Sequence, residues 1–197
     1  MTTDKLLEFN ISRWLTPIRA HPLRAIVILL TYLVLARFSV FITISDSPIS
    51  PVWLPSGFAL AMMFIYGDRA LSVLFIAAFV SAAADFLLTS QSLSNGLILT
   101  ASFGLLNTLQ PYLIYHFFIN VTNARYPFDR DRNLLAFLLG SILVIVATSS
   151  IFATLINLLQ PDSNINFTLR MLVFTLADFS GILFLTPLIL AHHQFRG

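Results

Sequence analysis

Residues 52–66 read VWLPSGFALAMMFIY, and after the short break GDR at 67–69 a second apolar run follows at 70–88, ALSVLFIAAFVSAAADFLL. Whether the first of these runs crosses a membrane or folds back into it decides the fold of the whole chain. Its fifteen residues make about 22 Å of helix against a hydrocarbon core of roughly 30 Å. The lead-in from Pro48 to Val52 can supply the missing length, because a proline such as Pro55 is tolerated in the first turn of a helix.

Four further apolar segments flank this pair: Leu23 to Ile44, Leu97 to Ile119, Leu134 to Ile156 and Leu169 to Ala191. Charge placement fixes the count. With six crossings and a cytoplasmic N-terminus, the cytoplasmic side collects Lys5, Arg13, Arg19, Arg24, Arg69, Arg125, Arg130, Arg132 and Arg196, nine of the 11 basic residues. Arg170 alone falls at the outer edge. A re-entrant segment at Val52 to Tyr66 would move Arg125, Arg130 and Arg132 outside, against the preference of basic loops for the cytoplasm. The expected fold is therefore an all-α integral membrane bundle of six transmembrane helices with both termini cytoplasmic.

Composition excludes the other broad classes. The 197 residues are 57% hydrophobic and 10% charged, where a soluble domain carries roughly 45–50% apolar and about 25% charged residues. A formal charge of only +2 gives no footprint for nucleic acid. The absence of Cys removes disulfides, thiolate metal sites and Cys nucleophiles. Six spans with short loops use roughly 150 residues, so no second domain is expected. Residues 1–22 place Leu7, Ile11, Trp14, Leu15 and Ile18 on one helical face, with Lys5, Glu8 and Arg19 elsewhere. They read either as an interfacial amphipathic helix or as a charged cap before the first span. A cleaved signal peptide is not expected, because the following apolar stretch is too long. Residues 23–191 form the membrane domain, and 192–197 a short cytoplasmic stub.

Ionisable groups inside spans are costly and generally face the bundle interior. Arg37 and Asp85 each lie about 21–22 Å from the inner boundary along their helices. Asn107 and Asp178 match each other at about 14–15 Å from the outer one. Gln110 lies one turn from Asn107 on the same face. These five residues are expected to form a polar cluster in the outer half of the bundle, with Arg37 as the cation. Two readings stay open: interhelical glue, worth about 0.6–2 kcal/mol per hydrogen bond, or a ligand site. Ala77, Ala78, Ser81 and Ala82 give small-residue spacing suited to close helix contact, in core packing first and in dimerisation as the alternative. His21, His116, His192 and His193 lack ligand spacing for a metal. The Phe-rich composition reads as lipid contact and core filler. No phosphate loop, nucleophile elbow or zinc-protease motif is present, so neither an enzyme nor a cofactor is expected.

Trp53-Leu54-Pro55-Ser56-Gly57-Phe58-Ala59-Leu60-Ala61 resembles the Trp-x-Pro-x-Gly-hydrophobic-Ala-hydrophobic-Ala signature of the first class of bacterial membrane-associated sensor domains, the MASE family. Gly104 to Gln110, with Asn107 and Thr108, is similar to that family's Gly-Asn-Thr run, and Phe128-Asp129-Arg130 followed by Leu134 to Leu139 to its basic loop and fifth-helix entry. Asp178-Phe179-Ser180-Gly181 through Thr186-Pro187-Leu188 resembles its ending. The ordered set spans residues 23 to 191.

The resemblance implies a sensory input module of the bacterial inner membrane, with Trp53, Pro55, Ser56 and Gly57 as an outer-mouth motif. Its expected partners are the lipid bilayer, a small-molecule ligand, a second copy in a homodimer, and a cytoplasmic output: a diguanylate cyclase, a cyclic-di-GMP phosphodiesterase or the histidine kinase of a two-component system. The sequence holds no Gly-Gly-Asp/Glu-Glu-Phe loop and no kinase core, so an excised input module or a free-standing relative is expected. The runner-up readings are a substrate-binding membrane subunit of an energy-coupling-type vitamin transporter, which has a similar six-helix size, and a structural membrane anchor.

Overall fold

Pro22 and Pro55 each stand in the first turn of a helix, where the missing N–H costs nothing. A computed structural model describes residues 21–42, 50–90, 92–160 and 165–195. Among these, the α-helices are α1 (Pro22–Phe41), α2 (Leu54–Tyr66), α3 (Leu71–Thr89), α4 (Leu93–Thr122), α5 (Asp131–Leu159) and α6 (Phe167–Phe195), with a 3-10 turn at Gly67–Ala70 between α2 and α3. Gly67 breaks the helix with φ 61°, a conformation that glycine adopts freely. Five helical stretches are long and apolar enough to cross a membrane: Pro22–Phe41, Leu54–Leu87, Leu93–Thr122, Asp131–Leu159 and Phe167–Gln194. The second of them contains the Gly67 break. Among the described residues the regular structure is all helical, and the five stretches make this a multi-pass membrane protein.

The apolar segments Leu97–Ile119, Leu134–Ile156 and Leu169–Ala191 lie within α4, α5 and α6, which run further, whereas α1 closes at Phe41 and α2 opens only at Leu54. The α4 helix begins at Leu93, capped by Ser92, whose Oγ accepts the Asn95 N–H at 3.2 Å. Asn157, just past the apolar run that ends at Ile156, is still in α5. Pro111 and Pro187 sit inside α4 and α6, as membrane helices tolerate when neighbours satisfy the freed carbonyls. The interfacial helix expected in the first 22 residues falls mainly on residues 1–20, which lie outside the described residues.

Consecutive helices run in opposite directions. At one end, Ser39 near the close of α1 accepts the Leu54 N–H that opens α2, at 3.0 Å. At the same end, Asn95 at the start of α4 donates to the Leu159 carbonyl at the close of α5, at 2.9 Å. At the other end Asp68 meets His116 near the close of α4 at 2.9 Å, and Phe64, Phe118 and Phe137 form a ring cluster.

The α2 helix occupies the middle. Every residue from Pro55 to Phe64 is buried, and α1, α4 and α6 pack around it. A helix that is apolar all round is a buried helix, which explains its shortness: it meets protein, and need not match the thickness of lipid. The α1 helix is outermost, with Leu23, Val27, Leu30, Val34 and Phe41 more than half exposed, an apolar face suited to acyl chains. In α3 the small residues Ala77, Ala78, Ser81 and Ala82 are all buried, letting α4 approach along its length.

Candidate ligand site

The ends of α1, α3 and α5, the starts of α4 and α6 and the segment leading into α2 surround a cavity of about 620 Å³, inside the range of roughly 300–1,000 Å³ typical of small-molecule sites. Its polar groups come from α3, α4, α5 and α6 and from the segments that hold Ser50, Trp53 and Gln160.

Asp178 of α6 lines the cavity, and Ser56 Oγ donates to its Oδ1 at 2.5 Å. Gln110 of α4 is its second polar neighbour, with Gln110 Oε1 accepting the Thr148 hydroxyl at 2.7 Å. Ser56 is delivered by the first turn of α2, which is pinned against α6 three times over. The Trp53 N–H donates to the Ala177 carbonyl at 2.9 Å. Thr186 Oγ1 donates to the Gly57 carbonyl at 2.9 Å. Gly57 and Gly181 let the two backbones touch, since a Cβ on either would run into the other segment's backbone. Asn107 also lines the cavity, with its amide nitrogen turned back to the Phe103 carbonyl at 3.1 Å.

Asp85 lines the cavity from α3 and is held by Arg37, whose Nη1 donates to Oδ1 at 3.0 Å and Nη2 to Oδ2 at 3.3 Å. Arg37 Nη2 also donates to the Ser81 carbonyl at 2.8 Å. The two side chains are 48% and 42% exposed, so the pair forms a rim rather than a buried core. Arg37 is not among the lining residues.

The expected five-residue cluster is therefore divided. Asn107, Gln110 and Asp178 share the cavity with Asp85, whereas Arg37 serves Asp85 from the outside. The basic residue that does line the cavity is Arg170, 7% exposed, with Nη2 donating to the Ile165 carbonyl at 3.4 Å. Sequence reading left it at the outer edge. Of the motif around residue 53, Trp53 lines the cavity, Pro55 stands in the first turn of α2, Ser56 holds Asp178 and Gly57 makes the close contact.

The reading of the phenylalanines as lipid contact and core filler holds for rings such as the exposed Phe41 and Phe184 and the buried Phe64 and Phe118, but not for those of the cavity. Trp53, Phe86, Phe103, Phe152 and Phe174 line the cavity as one connected wall. Trp53 meets Phe103 edge-on at 5.8 Å, Phe103 meets Phe152 at 5.4 Å, and Phe152 meets Phe174 at 5.5 Å. Phe86 lies 6.0 Å from Phe103 and 5.8 Å from Phe152. Helical periodicity alone does not separate a ring that faces lipid from one that faces a cavity. Two buried polar atoms in this lining, Trp53 Nε1 and Ser149 Oγ, make no hydrogen bond among the described residues.

The Thr148 hydroxyl reaches both Gln110 and its own helix, so Thr148→Val should cost only about 1 kcal/mol, the scale of a membrane interhelical hydrogen bond. A melting curve in detergent within a few degrees of the parent chain is the expected result.

The MASE1 family model matches residues 24–196. No curated protein and no solved structure matches the chain.

Proposed function

The chain belongs to the MASE1 family of membrane-associated sensor domains, and from that premise we propose that it is the input module of a bacterial inner-membrane signalling protein, reading a small ligand in the cavity beside Asp178. In this reading six helices cross with both termini cytoplasmic, the cavity faces outward, and the role is binding and transmission rather than catalysis. The output is a cytoplasmic diguanylate cyclase, phosphodiesterase or histidine kinase. Such outputs work in pairs, so a homodimer belongs to the proposal.

The observation that carries this reading is the double duty of α6. Arg170, Phe174, Ala177 and Asp178 all line the cavity, and the same helix continues to Phe195 at the opposite end, about 26 Å further at 1.5 Å per residue. A ligand acts on such a helix only by binding two of its arrangements unequally; moving a population from 1:99 to 99:1 takes roughly a 10⁴-fold difference in affinity.

A chimera joining this chain to a diguanylate cyclase domain tests the proposal. Ala84 is exposed and lines the cavity, so Ala84→Trp should fill the space and change cyclase output at least fivefold. Leu188→Trp, at a site 67% exposed on the outer surface of α6, should change it less than twofold. Equal outputs from the two variants would remove the cavity from the signalling path.

A further inference from the structure

Resting on the reading of this cavity as the ligand site, we propose that its ligand is an organic cation, a protonated amine carried on a flat apolar or aromatic body. Asp178 presents a carboxylate to a cavity inside an apolar bundle, and its side-chain partners are the neutral Ser56 and Gln110. No Lys, Arg or His makes an ion pair with it among the described residues. An ionised carboxylate in that setting calls for a counter-cation. The second carboxylate of the lining, Asp85, already has one in Arg37.

The walls point the same way. Aromatic faces attract a cation placed within about 6 Å of the ring centroid, and alkylated ammonium groups are the ligands that rings recognise best. The wall that runs from Trp53 to Phe174 supplies both that attraction and a surface for a flat body. Ser149 Oγ, buried in the lining without a hydrogen-bond partner among the described residues, adds an acceptor for an ammonium N–H.

Other ligand charges fit less well. An anion would meet Asp178, and the lining cation, Arg170, lies eight residues back along α6, about 12 Å nearer its start. The site is thus polarised, acidic beside Ser56 and basic where α6 begins. A wholly neutral ligand would fill the aromatic part and leave the carboxylate without a cation.

The probes are phenethylamine, 2-phenylethanol and phenylacetate at pH 7, three molecules of similar size carrying positive, zero and negative charge. Binding is measured by equilibrium dialysis against the 197-residue chain in lipid nanodiscs, with empty nanodiscs subtracted. Phenethylamine should bind saturably and at least tenfold tighter than 2-phenylethanol, and phenylacetate should bind weakest. Asp178→Asn should weaken the amine at least tenfold and leave the alcohol within twofold, while Asp178→Glu keeps most of the preference.

Equal affinity for amine and alcohol on the unmodified chain would overturn the charge assignment while leaving the cavity as a ligand site. Tightest binding of phenylacetate would overturn it by sign. If none of the three binds, the inference falls, and the Ala84→Trp chimera decides separately whether the cavity signals at all. Because the amine and alcohol are compared on the unmodified chain, a misfolded Asp178 variant does not rescue the proposal.

Discussion

Gly181→Val is expected to prevent assembly of the bundle. A Cβ at Gly181 would overlap the Trp53 carbonyl and come within 3.3 Å of the Leu54 nitrogen. These are backbone atoms, so no rotamer change clears the space. The two segments must separate, and the bonds from Trp53 N–H to Ala177, from Ser56 to Asp178 and from Thr186 to Gly57 go with them. Overpacking a tight core costs about 1–3 kcal/mol, and each lost interhelical bond adds roughly 0.6, so a loss of more than about 3 kcal/mol is expected. Aggregation on size exclusion in detergent, or a collapse of the melting temperature, is the measurable result. Gly140→Ala is the contrast. There the added methyl meets the ring of Phe117, which is 39% exposed and able to swing outward. A Gly181→Val protein that elutes and melts like its parent would show that α2 and α6 do not meet as described.

The second large effect is expected at the rim. Arg37→Met removes the guanidinium that ion-pairs with Asp85 at 3.0 Å and also donates to the Ser81 carbonyl, so a carboxylate of α3 loses its two bonds from α1. A charge at the centre of a membrane costs about 2.5–3.5 kcal/mol. Arg37 lies four residues from the end of α1, about 6 Å along the axis, and both partners are partly exposed, so about 2 kcal/mol is the expected loss. Asp85→Leu added to Arg37→Met should restore most of it, since replacing both partners of an ion pair is far milder than removing one. A double-mutant cycle on melting temperatures measures this directly. Additive losses from the two substitutions would mean that the pair carries no coupling energy.

Legibility of the sequence followed a physical divide. Helix positions were readable because apolar runs are long and because a fixed rise per residue converts position into depth; that conversion brought Arg37 and Asp85 to one level, and they meet at 3.0 Å. The burial of α2 is consistent with its lack of any polar side chain other than Ser56 and the half-exposed Tyr66 at its end. What a side chain faces around the helix axis was not readable. Phe103 and Leu105 lie on the same apolar helix, yet one lines the cavity and the other is 58% exposed. Arg170 looked like an ordinary interfacial cation, and its burial follows from the approach of neighbouring helices. The division of the polar cluster has the same origin, because depth places residues on a level without saying which side of the bundle they occupy.

The sheathing of α2 by its neighbours also bears on how the molecule would respond to the bilayer itself. Hydrophobic mismatch acts on helices that touch acyl chains, tilting them as the membrane thins or thickens. The short central helix is spared, and α1, whose outer face is the most exposed, takes the strain. Changes in lipid thickness would then rock the outer helix about a stationary axle and pull on Arg37, and through it on the Asp85 rim.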